Sequence, residues 1–166
     1  MRALIVGAGA VGRYVAARLK LAGHDPVLLA RSPAPGGLAP EYALRMRGIA
    51  RWVKVPVAVL GDDPWLRDPF ELTALAVKAY STASAIESVR AIAACAGSTV
   101  LTLQNGLGNE EQCAAAFGDD RVVAGALTTA VDKASDGITA SDRGGLSIAP
   151  LGTLPHNWLI AALALT

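Results

Sequence analysis

Apolar residues fall in short runs divided by glycines and polar residues, and their spacing alternates between strand-like and helix-like along the chain. Residues 2–6 (RALIV) form a run suited to a strand buried on both faces. After the glycines of 7–12, apolar residues recur at Val11, Val15, Leu19 and Ala22, close to a helical period. Gly23 is placed to stop that helix. Residues 26–30 (PVLLA) read as a second strand, which completes a βαβ unit of about thirty residues, the size of one crossover.

Residues 31–40 (RSPAPGGLAP) are too rich in proline and glycine for regular structure. Partial alternation around Gly48 predicts a small hairpin-like extension over 44–59. ELTALAV (71–77) predicts a buried strand and 82–96 a helix. STVLTLQ (98–104) predicts a strand that stops at Asn105-Gly106, followed by a short helix from Asn109 to Phe117. RVVAGALTTAV (121–131) reads as one long strand, and GITASD (137–142) with GGLSIAP (144–150) as two antiparallel strands joined by Gly144-Gly145. Residues 156–166 predict the start of an amphipathic or buried helix with no stop signal. Strand and helix alternate throughout, so the expected class is α/β: a Rossmann-type, doubly wound, mostly parallel sheet with helices on both faces, one domain over 1–166.

Hydrophobic residues make up 52% of the chain and charged residues 17%, so filling a core is not the difficulty. The mean hydropathy of +0.39 is a surplus. No apolar stretch reaches the roughly 18 residues needed to cross a bilayer. The surplus therefore points to Ala-rich helices, or to apolar surface meant for another domain or subunit. A net charge of +1 gives no electrostatic reason to expect nucleic acid or an anionic membrane. The N-terminus opens straight into a strand without a signal-peptide layout. Cys95 and Cys113 lie in no CxxC or Cys/His cluster and read as free thiols of a reducing cytoplasm, and Asp132, Asp136 and Asp142 lack metal-ligand spacing.

Gly7-Ala8-Gly9-Ala10-Val11-Gly12 is a GxGxxG between the first predicted strand and helix. That context, more than the pattern, makes it a dinucleotide cradle. Gly7 allows the tight turn, Gly9 lets a pyrophosphate approach the backbone, and Gly12 lets helix and strand pack closely. The helix N-terminus offers unpaired N–H groups to the phosphates. An NAD site wants a carboxylate at the end of the second strand, where this chain has Ala30-Arg31-Ser32; Asp25 lies before the strand. Arg31 suits a 2′-phosphate and Ser32 can add a neutral hydrogen bond, so the expected cofactor is NADP(H).

AVKAY (76–80), LQNGLGNEE (103–111) and the stretch from Gly125 to Gly152 (GALTTAV…GGLSIAPLG) follow the glycine motif in a specific order. In order and spacing the chain resembles the N-terminal domain of the ketopantoate reductase (2-dehydropantoate 2-reductase) family over nearly its whole length. The resemblance implies that Lys78 contacts the cofactor near its nicotinamide half. It also implies that Asn105, with Gln104 before it, lies beside the nicotinamide and orients the substrate. The implied reaction is reduction of a 2-keto acid by NADPH, ketopantoate to pantoate on the way to coenzyme A, although members act on other keto acids. The family's general acid, a lysine helped by a glutamate, belongs to a C-terminal helical domain, and neither position is expected in this chain. The family usually has a helix where this chain has the prolines and glycines of 33–40.

By residue type alone, Lys78 would be a surface lysine and Asn105-Gly106 a turn. His24 reads as a turn residue, and Glu110-Glu111 as favourable charge at a helix start. Trp52, Trp65 and Trp158 lack the spacing of a nucleic-acid platform and suit packing or an interface. The alternative to a reductase half is a stand-alone NADP-binding sensor or partner module without chemistry. If the helical domain is missing, self-association through the C-terminal segment near Trp158 and Leu159 is expected.

Overall fold

The computed structural model describes residues 1–32 and 40–152. The expected terminal helix, with Trp158 and Leu159, and most of the 31–40 segment lie outside the described residues.

Strand β1 (Arg2–Val6) leads through the glycine turn into helix α1 (Ala10–Leu21), and β2 (Asp25–Ala30) pairs parallel with β1. Gly23 ends α1 as its position predicts. It takes φ +85, and the amides of Gly23 and His24 close onto the carbonyls of Lys20 and Leu19. Strands β3 (Glu41–Met46) and β4 (Ile49–Lys54) form the hairpin. Arg47 and Gly48 both have positive φ, the geometry of a tight two-residue turn. Strand β5 (Val57–Val59) then returns to lie parallel with β2. Strand β6 (Leu72–Leu75), helix α2 (Thr82–Ala91), strand β7 (Thr99–Thr102), helix α3 (Asn109–Phe117) and strand β8 (Val122–Leu127) follow. Strands β9 (Val131–Ala134), β10 (Gly137–Ala140) and β11 (Leu146–Pro150) complete the described chain.

The main sheet has the order β11-β8-β7-β6-β1-β2-β5, parallel except for β11. One face buries Ala3, Ile5, Leu28 and Leu101 against Val15, Ala16 and Leu19 of α1. The other buries Leu4, Val27, Leu75 and Val100 against Ile86 and Val89 of α2 and Cys113 of α3. Alternate residues of the same strands serve opposite cores, which is why these runs are continuously apolar. The fold is thus the expected doubly wound α/β sheet.

The structure corrects three expectations. Helix α2 ends at Ala91, because Ile92 turns to extended backbone and drops its side chain into the second core; a 3₁₀ turn, Ala93–Cys95, follows. The long strand over 121–131 breaks after Leu127 and continues as β9 in a separate sheet ordered β4-β3-β10-β9. Gly144 crosses so close to the break that a Cβ on it would lie 2.6 Å from the Thr129 amide, and the Thr128 amide donates to the Gly145 carbonyl at 2.9 Å. The expected hairpin of 137–150 does not form. Strand β10 pairs antiparallel with β9 and parallel with β3, whereas β11 pairs antiparallel with β8. Gly144-Gly145 therefore joins two sheets rather than two paired strands.

The small sheet packs on α1, where the hydroxyl of buried Tyr42 donates to the Arg13 carbonyl at 2.7 Å. The strand order turns outward in both directions from the β1–β6 junction, which places a crevice above the carboxyl ends of those two strands.

Candidate nucleotide-binding site

Gly7 has φ +110, and a Cβ on it would meet the Ala76 carbonyl oxygen at 2.9 Å. Gly12 is more constrained: its Cβ would fall 1.9 Å from the Gly7 carbonyl oxygen. At Gly9 nothing lies within 4 Å of that position. The turn thus seals strand to helix at Gly7 and Gly12 and stays open at Gly9. Gly9 is the N-cap of α1, no side chain caps the helix, and its first turn carries no acid. The leading N–H groups and the positive end of the helix dipole are left for an anion. Ala8, Ala10 and Val11 are half-buried against the α1-side core.

The other expected residues follow the carboxyl ends of neighbouring strands. Arg31 leaves β2 and its Nη2 donates to Ser81 Oγ at 3.3 Å; Ser32 beside it is exposed. Asp25 sits at the opposite end of β2, paired with Arg2 at 3.5 Å. Strand β5 ends near Asp62 and Asp63, but Asp63 accepts from the Val59 and Trp65 amides and Asp62 pairs with Arg67 at 3.0 Å. Lys78 lies past the end of β6, exposed and without an ion-pair partner among the described residues. Asn105 is exposed past the end of β7, and Gln104 before it is buried.

A Cβ on Gly106 would stand 3.8 Å from Ala79 Cβ, so the loop carrying Lys78 and the turn carrying Asn105 run side by side. All the expected positions gather at one edge of the sheet. A cavity of about 380 Å³ opens there, lined by Gln104, Asn105, Gly106 and Glu110 over the small residues Ala124 and Ala149. A larger one of about 430 Å³, between Arg18, Leu21, Met46 and Arg51, lies past the far end of α1, away from this edge.

A profile of the ketopantoate reductase PanE/ApbA family matches residues 3–152. This chain belongs to the ketopantoate reductase family. It is 38% identical over 112 residues to a 2-dehydropantoate 2-reductase of Pyrococcus abyssi, covering 68% of this chain and 35% of that protein. It is 32% identical over 152 residues to one of Halobacterium salinarum, covering 87% of this chain and 47% of the relative. Among solved structures, the 2-dehydropantoate 2-reductase of Geobacter metallireducens superimposes with a TM-score of 0.84 at 26% identity, over 99% of this chain and 55% of that one. The chain spans about a third to a half of the length of the curated relatives it matches.

Within that family frame, sequence reasoning missed four residues. Ser81 receives Arg31. Thr82 and Asn109, both buried at helix starts, tie the Lys78 loop to the Asn105 turn. Glu110, expected only as helix-start charge, lines the cleft beside Asn105 and accepts from Thr102 Oγ1 at 3.1 Å. The available signal was their place: polar residues opening a helix directly after a motif. Tyr80 and Leu107 flank the same edge with relative exposures of 88% and 101%, so part of the apolar surplus is on this surface.

The residues present fit a dinucleotide. The open position at Gly9 admits a pyrophosphate, and Arg31 and Lys78 supply cations on either side of it. The Oε1 of Gln104 is buried without a hydrogen-bond partner, an acceptor left over beside Asn105.

Proposed function

We propose that this chain is the nucleotide-holding half of an NADPH-dependent 2-keto acid reductase, acting on 2-dehydropantoate to give pantoate. The observation that carries this reading is the gathering of the open glycine turn, Arg31, Lys78 and Asn105 on one carboxyl edge of the sheet, in a chain of this family.

Gly7 to Gly12 hold the pyrophosphate on backbone N–H groups. Arg31, with Ser32, takes the 2′-phosphate. The β2 end has no carboxylate of its own, and the acids after β5 are engaged elsewhere, which favours NADPH over NADH. Lys78, Gln104 and Asn105 face the nicotinamide half and the keto acid, Lys78 by charge and Asn105 by hydrogen bonds that orient the carbonyl. The bound nicotinamide supplies the hydride. The proton for the developing alkoxide comes from an acid outside the described residues, in the C-terminal helical part that the family resemblance implies. That part also covers Tyr80 and Leu107, whose exposure would otherwise leave apolar surface in water. The two buried, unpaired thiols suit a cytoplasmic setting.

The test is a titration with NADPH and NADH, read by nicotinamide fluorescence, on the unsubstituted protein and on Arg31→Ala. NADPH should bind tighter, and the variant should lose about 10- to 100-fold toward NADPH while NADH binding holds, as expected for one charge-assisted pair. Equal binding of the two nucleotides would remove the 2′-phosphate assignment. With the helical part present, NADPH oxidation in the presence of 2-dehydropantoate and of other 2-keto acids tests the reaction.

A further inference from the structure

Thr82 opens α2 and Asn109 opens α3, and both side chains are buried, at 0% and 1% exposure. Neither helix has a side-chain N-cap, so these groups do not serve their own helix ends in the usual way. They reach outward instead. Thr82 Oγ1 donates to the carbonyl of Ala79, the residue after Lys78, at 2.8 Å. Asn109 Nδ2 donates to the carbonyl of Gly106, the residue after Asn105, at 3.1 Å. The two side chains then meet, Thr82 Oγ1 donating to Asn109 Oδ1 at 2.8 Å, while Gln104 Nε2 donates to Thr82 Oγ1 at 3.1 Å.

The orientation of each amide follows from its neighbours. The Gly106 carbonyl requires a donor, so Asn109 turns its NH₂ there and its oxygen to Thr82. The one hydroxyl proton of Thr82 is shared between two acceptors, so its lone pairs are what Gln104 meets, and Gln104 must present NH₂. An apolar pair would fill this space without desolvation cost; the hydrogen-bonded Thr82–Asn109 pair fixes geometry as well as volume.

We propose that Thr82 and Asn109 form a buried latch that sets the spacing between the Lys78 loop and the Asn105 turn, acting as positioning residues for the nicotinamide side of the site. The inference rests on the reading of Lys78 and Asn105 as ligand-side groups. The latch touches no ligand. It pins the carbonyl of the residue after each of these two, so neither loop moves without the other.

The test uses Thr82→Val, which keeps shape and loses the hydroxyl, and Thr82→Ser, which restores it. Asn109→Asp, which puts an oxygen against the Gly106 carbonyl, is the second disrupting variant should the first fail to fold. Amide hydrogen exchange on the unliganded protein should rise in residues 76–82 and 103–109 together in the disrupting variants, leave residues 7–13 unchanged, and return to the parent level in Thr82→Ser. NADPH affinity should fall about tenfold. That loss should be absorbed when combined with Lys78→Ala but should multiply with the loss from Arg31→Ala, which acts at the other end of the cofactor. Exchange that rises in one segment only, or throughout the chain, overturns the latch, as does a loss that multiplies fully with Lys78→Ala. If the unsubstituted protein binds neither nucleotide, the reading of the site fails, and the exchange result alone decides the latch.

Discussion

The Gly7 carbonyl oxygen lies 1.9 Å from where a side-chain carbon on Gly12 would stand, closer than any two such atoms can approach. Helix and strand are joined there with no room for a methyl group, whereas Gly9 between them faces open space in an ordinary extended conformation. The two glycines should therefore separate stability from binding. Gly12→Ala should destabilise the fold by about 3 kcal/mol or more, since only a backbone shift relieves the clash. Gly9→Ala should stay within about 0.5 kcal/mol of the parent, as at an open site, yet lose at least about tenfold in NADPH affinity, because its methyl occupies the phosphate approach. Thermal melts and a fluorescence titration on both variants check this. Unimpaired binding by Gly9→Ala would remove the cradle from the site.

Arg45 of β3 and Asp136, just before β10, form a two-pronged ion pair across the small sheet. The Arg45 guanidinium, by hydrogen bond first and charge second, holds the Asp136 carboxyl below its ordinary value. A lowered folded value means that the stabilisation is complete above the unfolded aspartate value of about 3.9 and is lost as pH falls through the folded one. Melts from pH 7 downward should show Asp136→Asn less stable than the parent at neutral pH, with the gap narrowing below about pH 4. A gap that persists undiminished into strong acid would assign the effect to packing.

Burial, and then the charge of Glu110, push the Cys113 thiol up to about 11; burial likewise raises Cys95. Both thiols should resist a thiol reagent at pH 8 in the folded protein and react on denaturation. The sign for stability is opposite to that of Asp136. The contribution of Cys113 is complete below the unfolded thiol value of about 8.5 and declines as pH rises toward about 11. Rapid labelling of the native protein would show that α3 opens readily.

The Tyr42 hydroxyl, donating to the Arg13 carbonyl, is a buried polar tie between the small sheet and α1. Burial raises the pKa of this phenol, so it stays protonated through the working range. Tyr42→Phe keeps the ring, with the Arg13 guanidinium 5.3 Å from its centroid, and should cost about 1 kcal/mol in a denaturant melt. Nucleotide affinity should not change. An altered affinity would mean that the small sheet governs the pose of α1 at the cradle.

The glycine turn, the first βαβ unit and the boundaries of α3 are legible in the residues themselves, because each depends on neighbours close in sequence. Gly7 and Gly12 make the turn and the close packing their spacing assigns, Gly9 between them stands open, and α1 stops at Gly23 through contacts three and five residues back. Arg31, Lys78, Gln104 and Asn105 are legible as candidates, since each follows the end of an apolar run and ligands of such sheets gather there. What they share was not legible. The Thr82–Asn109 contact joins helix starts twenty-seven residues apart, and nothing in either local pattern points to the other.

By itself, the sequence settled periodicity: where most strands and helices lie and where glycine is needed for a turn or a close approach. Only the tertiary structure decided partners. Strand-forming residues continue from Leu127 through Thr128 and Thr129 to Val131, yet the chain changes sheets there, since a local pattern does not specify the neighbouring strand. Strand β10 finds β3, more than ninety residues back, because Gly137 lacks the Cβ that would otherwise sit 2.1 Å from the Ala43 carbonyl oxygen. That complementarity is between two distant backbones, and it exists only once the rest of the fold has brought them together.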